Sequence, residues 1–253
     1  MKPFGFLKIT AVSIGLFLSA HHGAVSAGEA GKGTWETDLV GRDLDGNSSN
    51  GFEAYFDKAL NVTWLANGNY ALSVGVGDRG VMYSSEARAW AESVTVHGIS
   101  GWRLPQVIDT GSVGCDWSFA GPECGYNIAT DQSELAHMFH VTLGNASRYD
   151  SMGVLQPASL SLNWGPFGPI GDPSFGHQYH AMSNRVPDPE AFSGWIFDMR
   201  YGNQDTWDVG TAYGLVWLVR SGDVAAVPEA SSVMMLLGGV AVAAVAFRRR
   251  RNV

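Results

Sequence analysis

Cysteine is nearly absent from this chain: Cys115 and Cys124 are the only two in 253 residues. They are not spaced as CxxC, so a redox pair of that form is excluded, and two thiols alone cannot complete a four-ligand zinc site. Charge is scarce at 16% of residues, and Asp plus Glu outnumber Lys plus Arg by 24 to 16. Between Gly28 and Ala226 there are ten basic against twenty-three acidic residues, about −13. Such a field repels phosphate backbones and anionic headgroups, which argues against a nucleic-acid or peripheral membrane-surface role. The sequence also lacks a GxSxG elbow, a Gly-rich phosphate loop and an HExxH pair, and no two carboxylates stand out as an acid and a base. No internal repeat and no Pro- or Ser-rich linker divides the middle of the chain.

What is present is glycine, 32 residues, and tryptophan, nine. That combination describes a turn-rich domain with an aromatic core. The first residues supply Lys2 and Lys8, an uncharged run from Ile9 to Ala20, and then small residues in AVSAGEA. Twelve such residues are too few to span a bilayer but suit a signal peptide, residues 1–27, cut by signal peptidase after Ala27. Residues 28–34 read as a flexible lead-in. The chain ends in an uncharged run from Ala230 to Phe247, long enough for a transmembrane helix, followed by Arg248–Arg251, which the positive-inside rule keeps in the cytoplasm. In an exported chain Cys115 and Cys124, flanking a loop with Gly-Pro, read as a disulfide.

Within the domain, Leu60, Val62 and Trp64 alternate with Asn61 and Thr63, predicting a half-buried strand. Ala87, Trp90, Ala91 and Val94 predict a helix started by Ser84 or Ser85 and stopping near Gly98. A second helix is signalled by an Asp131–Glu134 capping box, an inner face of Leu135, Met138 and Phe139, and an end at Gly144-Asn145. Trp195, Phe197, Met199 and Tyr201 alternate with Asp198 and Arg200, and GLVWLVRSGDV predicts one central strand buried on both faces. Two short helices among several short antiparallel strands predict an α+β domain over 35–224.

LNVTWLA, the helix containing AWAE, GISGWRLPQ, SELAHMF, NWGPFGP and VWLVRSGDV, in that order, resemble the Lcl C-terminal domain family. The resemblance implies a C-type-lectin-like fold and an extracellular, polysaccharide-facing role. Gln106 after WRLP, where threonine is more usual, and Tyr179–Ser183, where a Tyr-Trp-Ser type of strand is common, depart from the family pattern. WRLP itself reads as structural: Trp102 and Leu104 pack, Arg103 donates to loop carbonyls, and Pro105 ends the segment without needing a donor. At the tail, Val227-Pro228-Glu229-Ala230, an apolar helix and a run of arginines resemble the PEP-CTERM sorting signal, residues 225–253, with Ala230 in place of a second proline. This resemblance implies recognition and cutting by an exosortase, the alternative being a permanent anchor.

Two patterns invite a metal. His137 with His140, and His177 with His180, have HxxH spacing, yet nothing in the sequence brings the pairs together and no metal is expected. Asp43, Asp45 and Asn47 open like a calcium loop, but Ser48 stands where glycine is needed and Ala54 where the bidentate glutamate belongs, so an Asx-rich turn is the reading. Asp188, Glu190, Asn203 and Asp205 form an oxygen-rich loop patch, the candidate for sugar binding with calcium as the one cofactor considered. No catalytic residue is expected. Together these features point to a non-enzymatic surface or matrix protein that interacts with exopolysaccharide. The alternatives are a purely structural matrix component and a polysaccharide-modifying hydrolase.

Overall fold

The computed structural model describes residue 29 and residues 31–110, 118–121, 123–167, 170–171, 176–183, 193–208 and 213–224. The signal peptide, the apolar tail, Cys115, Asp188 and Glu190 therefore lie outside the described residues. Among the described residues no helix is long and apolar enough to cross a membrane.

The chain enters through helix α1 (Trp35–Asp38), then strands β1 (Leu39–Arg42), β2 (Ala54–Asp57) and β3 (Val62–Leu65) and helix α2 (Tyr70–Ser73). β4 (Val81–Tyr83) leads into α3 (Ser84–Ser93), followed by β5 (Trp102–Arg103), β6 (Gln106–Val107) and β7 (Gly125–Tyr126). After α4 (Glu134–His137) come β8 (Gln178–Ser183), β9 (Ser193–Asp198), β10 (Asn203–Asp208), β11 (Tyr213–Leu215) and β12 (Val219–Ser221). This is a mixed α+β fold with few helices and largely antiparallel sheets. One sheet has five strands in the order β1-β2-β3-β12-β5, and the other has seven, β4-β11-β8-β9-β10-β7, with β6 parallel to β8.

α3 forms where the apolar period predicts it, with Ala87 and Ala91 fully buried. Its start differs. Ser84 and Ser85 lie inside the helix, and the capping is done by Glu86, whose carboxylate accepts from the Tyr83 backbone N–H at 3.2 Å. The inner face Leu135, Met138 and Phe139 is also fully buried. Beyond His137 the helix widens into a π-helical turn, Met138–Thr142, and Gly144 turns the chain at φ +67°. The Asp131–Glu134 box does not form. Ser133 is the N-cap, accepting from Ala136 N–H at 3.2 Å, because the Glu134 carboxylate is occupied elsewhere.

The strand over Val62–Leu65 is buried on both faces rather than half-buried. Thr63 is tolerated there because its hydroxyl donates to Gly222 O at 2.8 Å. The long apolar run also departs from expectation. It is buried from Gly214 to Val219 but not from Arg220 to Asp223, and it is two strands: β11 belongs to the seven-stranded sheet and β12 to the five-stranded one. Between them the side chains alternate between two cores. Val216 and Leu218 join the cluster around Trp102, Ala87 and Ala91, while Trp217 and Val219 join the cluster around Trp64, Tyr179 and Phe197. A run that divides two cores must be apolar on both sides, which is why it reads as one continuous stretch. Trp217 stands at the centre, 5.0 Å from Trp64 and 4.9 Å from Phe167 between ring centroids, with its indole N–H donated to Leu65 O at 2.7 Å.

Residues read as a lead-in are tied down where they are described. Glu29 N–H donates to Asn163 Oδ1, and Asn163 Nδ2 donates to Lys32 O. Gly33, at φ +75°, lies so close to Thr142 O that a Cβ would collide with it.

Candidate functional site

WRLP spans β5 and the step into β6. Trp102 and Leu104 are each 1% exposed, and the Trp102 indole donates to Ile99 O at 2.9 Å. The principal partner of Arg103 is a carboxylate, and one backbone carbonyl, Leu104 O, accepts from it as expected. Its Nη1 and Nη2 each reach one oxygen of Glu134 at 2.8 Å, and Nη1 also donates to Leu104 O and Nε to Ser221 Oγ. Glu134 Oε2 in turn accepts from Gln106 N–H at 2.7 Å. Both side chains are 14% exposed, so this fork joins β5, β6, β12 and α4 in a largely dry setting.

The four histidines do not come together in one cluster. Among the described residues, the one group of three or more potential metal ligands is Asp43, Asp45 and Glu53. His180, fully buried, donates Nε2–H to Met82 O at 2.9 Å, and His140 shares Nδ1–H with Asn145 O at 3.1 Å. Burial holds both imidazoles below the ordinary histidine pKa, and the backbone acceptors only partly oppose it. His177 lies stacked against Trp164 at 6.0 Å.

The oxygens of Asp43, Asp45 and Glu53 lie within 4.8 Å of one another. The expected loop thus gains a glutamate after all, from the position before Ala54. Hard cations favour such oxygen donors. Here the oxygens already accept backbone N–H groups: Asp43 from Gly46 and Asn47, Asp45 from Asn47, and Glu53 from Leu44. The Asn50 amide donates to Asp45 and, as the largest cause, lowers its pKa. The arrangement is an Asx-turn network that closes the β1–β2 connection.

Of the oxygen-rich patch, the two described residues are in a strand where loops were expected. Asn203 opens β10 opposite Asp198 and Tyr126, and Asp205 stands opposite Ile196. The sharp β9–β10 turn makes this possible. Asp198 Oδ1 accepts from Arg200 and Tyr201 N–H, and Gly202, at φ +67°, packs against Phe139 where a side chain would not fit. Cys124 is buried just before β7.

Beside Asn203 lies an aromatic rim that the sequence pattern does not reveal. Phe119 and Tyr126 are nearly parallel, 6.1 Å apart, and Tyr149 meets them edge-on at 5.7 and 5.1 Å. The Arg148 guanidinium lies 4.7 Å from the Tyr201 ring and 5.8 Å from Tyr149, and Arg200 lies 5.3 Å from Tyr201. Asn127 fixes the group by donating Nδ2 hydrogens to Phe119 O and Tyr149 O, both at 2.8 Å. Burial is the main reason the Tyr126 phenol sits above its ordinary pKa, reinforced by Tyr149.

Residues 226–251 match the PEP-CTERM protein-sorting motif, a span that includes Val227–Ala230 and Arg248–Arg251. The chain is thus an exosortase-sorted protein, made as a membrane-anchored precursor and exported to the cell surface. No curated protein and no solved structure matches the chain.

Proposed function

We propose that this protein is a non-enzymatic component of the cell surface or extracellular matrix whose folded domain holds exopolysaccharide. The observation that carries this reading is the sorting motif at 226–251, which sends an acidic, aromatic-rich domain to the cell exterior. The ordered resemblance to the Lcl C-terminal domain supports a C-type-lectin-like identity for residues 35–224. Cys115 and Cys124 form a disulfide that stabilises this exported domain by about 2–3 kcal/mol. The exosortase cuts near Val227–Ala230, so the apolar helix spans the membrane only until processing. The test is retention of the mature protein, recovered from cells, on isolated exopolysaccharide. Retention that competing soluble exopolysaccharide reverses supports the reading, and passage without delay overturns it.

A second reading is a purely structural matrix protein that packs against other proteins. The apolar side chains favouring it are Met152 at 85%, Leu160 at 80% and Val154 at 59% exposure. Concentration-dependent association of the mature protein without polysaccharide is its signature.

A further inference from the structure

We propose that the rim of Phe119, Tyr126, Tyr149 and Tyr201 around Arg148 and Arg200 is a binding site for a pyranose chain. This assignment rests on the polysaccharide reading above and gives it a location. The four rings come from three separate stretches of the sequence, and a chain of hydrogen bonds holds those stretches together. Asn127 N–H donates to Ser147 Oγ at 3.2 Å, Ser147 Oγ–H to Gly202 O at 2.8 Å, and Arg148 N–H to Tyr201 O at 2.8 Å. With the two Asn127 side-chain bonds, these fix the backbone that carries Phe119, Tyr149 and Tyr201 before any ligand arrives, which lowers the ordering cost of binding.

The chemistry of the rim matches the two faces of a sugar. A pyranose offers apolar C–H faces, which lie on aromatic rings, and a girdle of oxygens, which accept hydrogen bonds. Phe119, 41% exposed, supplies apolar ring surface, with the near-parallel Tyr126 stacked beside it. Arg148 and Arg200 supply planar donors held on ring faces. Among the described residues neither guanidinium pairs with a carboxylate, although acidic side chains outnumber basic ones by 24 to 16. Arg148 also hydrogen-bonds the Tyr149 and Tyr201 side chains, which sets its fork in place, while the exposed Arg200 offers its donors to an external acceptor. Asn203 Oδ1, in the strand position opposite Tyr126, is buried and has no partner among the described residues.

The experiment measures binding of the full mature protein to exopolysaccharide from the producing cells, to cello-oligosaccharide as a neutral probe and to polygalacturonate as an acidic one. The Phe119→Ala/Tyr149→Ala double variant and Arg148→Gln are each expected to bind at least about tenfold more weakly, a change of about 1.4 kcal/mol. Tyr126→Phe, which keeps the ring, is expected to retain binding. If the double variant does not fold, Arg148→Lys replaces it, because losing the planar fork weakens binding while the charge remains. Loss confined to polygalacturonate supports the site with a carboxylate as the guanidinium's acceptor, and loss on both defined probes supports it with hydroxyls. Unchanged binding in all folded variants overturns the site and leaves the polysaccharide reading standing. A parent protein that binds none of the three probes overturns both, as does self-association that these variants abolish without any glycan retention.

Discussion

Arg103 and Arg148 carry the same guanidinium in opposite settings. Around Arg103, Glu134 takes two donors at 2.8 Å, and Leu104 O and Ser221 Oγ take the others that the geometry engages. Around Arg148 there are ring faces, Tyr201 at 4.7 Å and Tyr149 at 5.8 Å, and among the described residues no carboxylate. The first arrangement engages four of the five guanidinium hydrogens inside the protein and ties four elements together. The second holds its guanidinium on the Tyr149 and Tyr201 side chains with no ion pair, beside the exposed Arg200. An arginine's function follows from where its hydrogen bonds are spent, and the two regions divide the molecule into a structural clamp and a recognition rim.

Breaking the clamp has the largest expected effect. Arg103→Ala strands the Glu134 carboxylate at 14% exposure, and a loss of about 3–5 kcal/mol is expected in urea unfolding, read as a lower midpoint at unchanged slope. The pH dependence comes next. Burial depresses the folded-state pKa of His140 and His180, so their contribution is present above the unfolded value of about 6.5 and is lost as pH falls through the folded value. Melting temperature is therefore expected to drop on acidification below about pH 6.5, and His180→Gln flattens that slope even though it lowers stability at neutral pH. Arg42→Ala tests a more exposed ion pair. Its fork to Asp223 has side chains 18% and 44% exposed, so a loss of about 0.5–1 kcal/mol is expected in the same unfolding assay. Smallest of all, Arg148→Gln is expected to move stability by less than about 0.5 kcal/mol while weakening exopolysaccharide retention.

Local patterns were the most legible part of this chain. The spacing of Ala87 and Ala91 and of Leu135, Met138 and Phe139 assigns the buried helix faces, because a helix face depends on residues three and four apart. Caps were less legible. Glu134 has the spacing of a capping-box residue, but Arg103, 31 positions away, claims its carboxylate. GLVWLVRSGDV shows burial on both sides without showing that the strand changes sheets, since periodicity carries no information about partners. Glu53 does not fit a calcium-loop template, which places the acid one residue later, at Ala54. The rim was invisible for the strongest reason. Phe119, Tyr126, Tyr149 and Tyr201 share no motif, and the β7–β10 pairing with the Asn127 and Ser147 hydrogen bonds is what assembles them.

The most direct test replaces each arginine by lysine, keeping the charge and removing the planar fork, and measures both unfolding midpoint and exopolysaccharide retention for the two variants side by side. Arg103→Lys is expected to unfold at lower urea yet retain polysaccharide like the parent per folded molecule. Arg148→Lys is expected to unfold like the parent yet elute earlier. Stability lost at Arg148 with retention intact, or retention lost at Arg103 in folded protein, would contradict the division between clamp and rim.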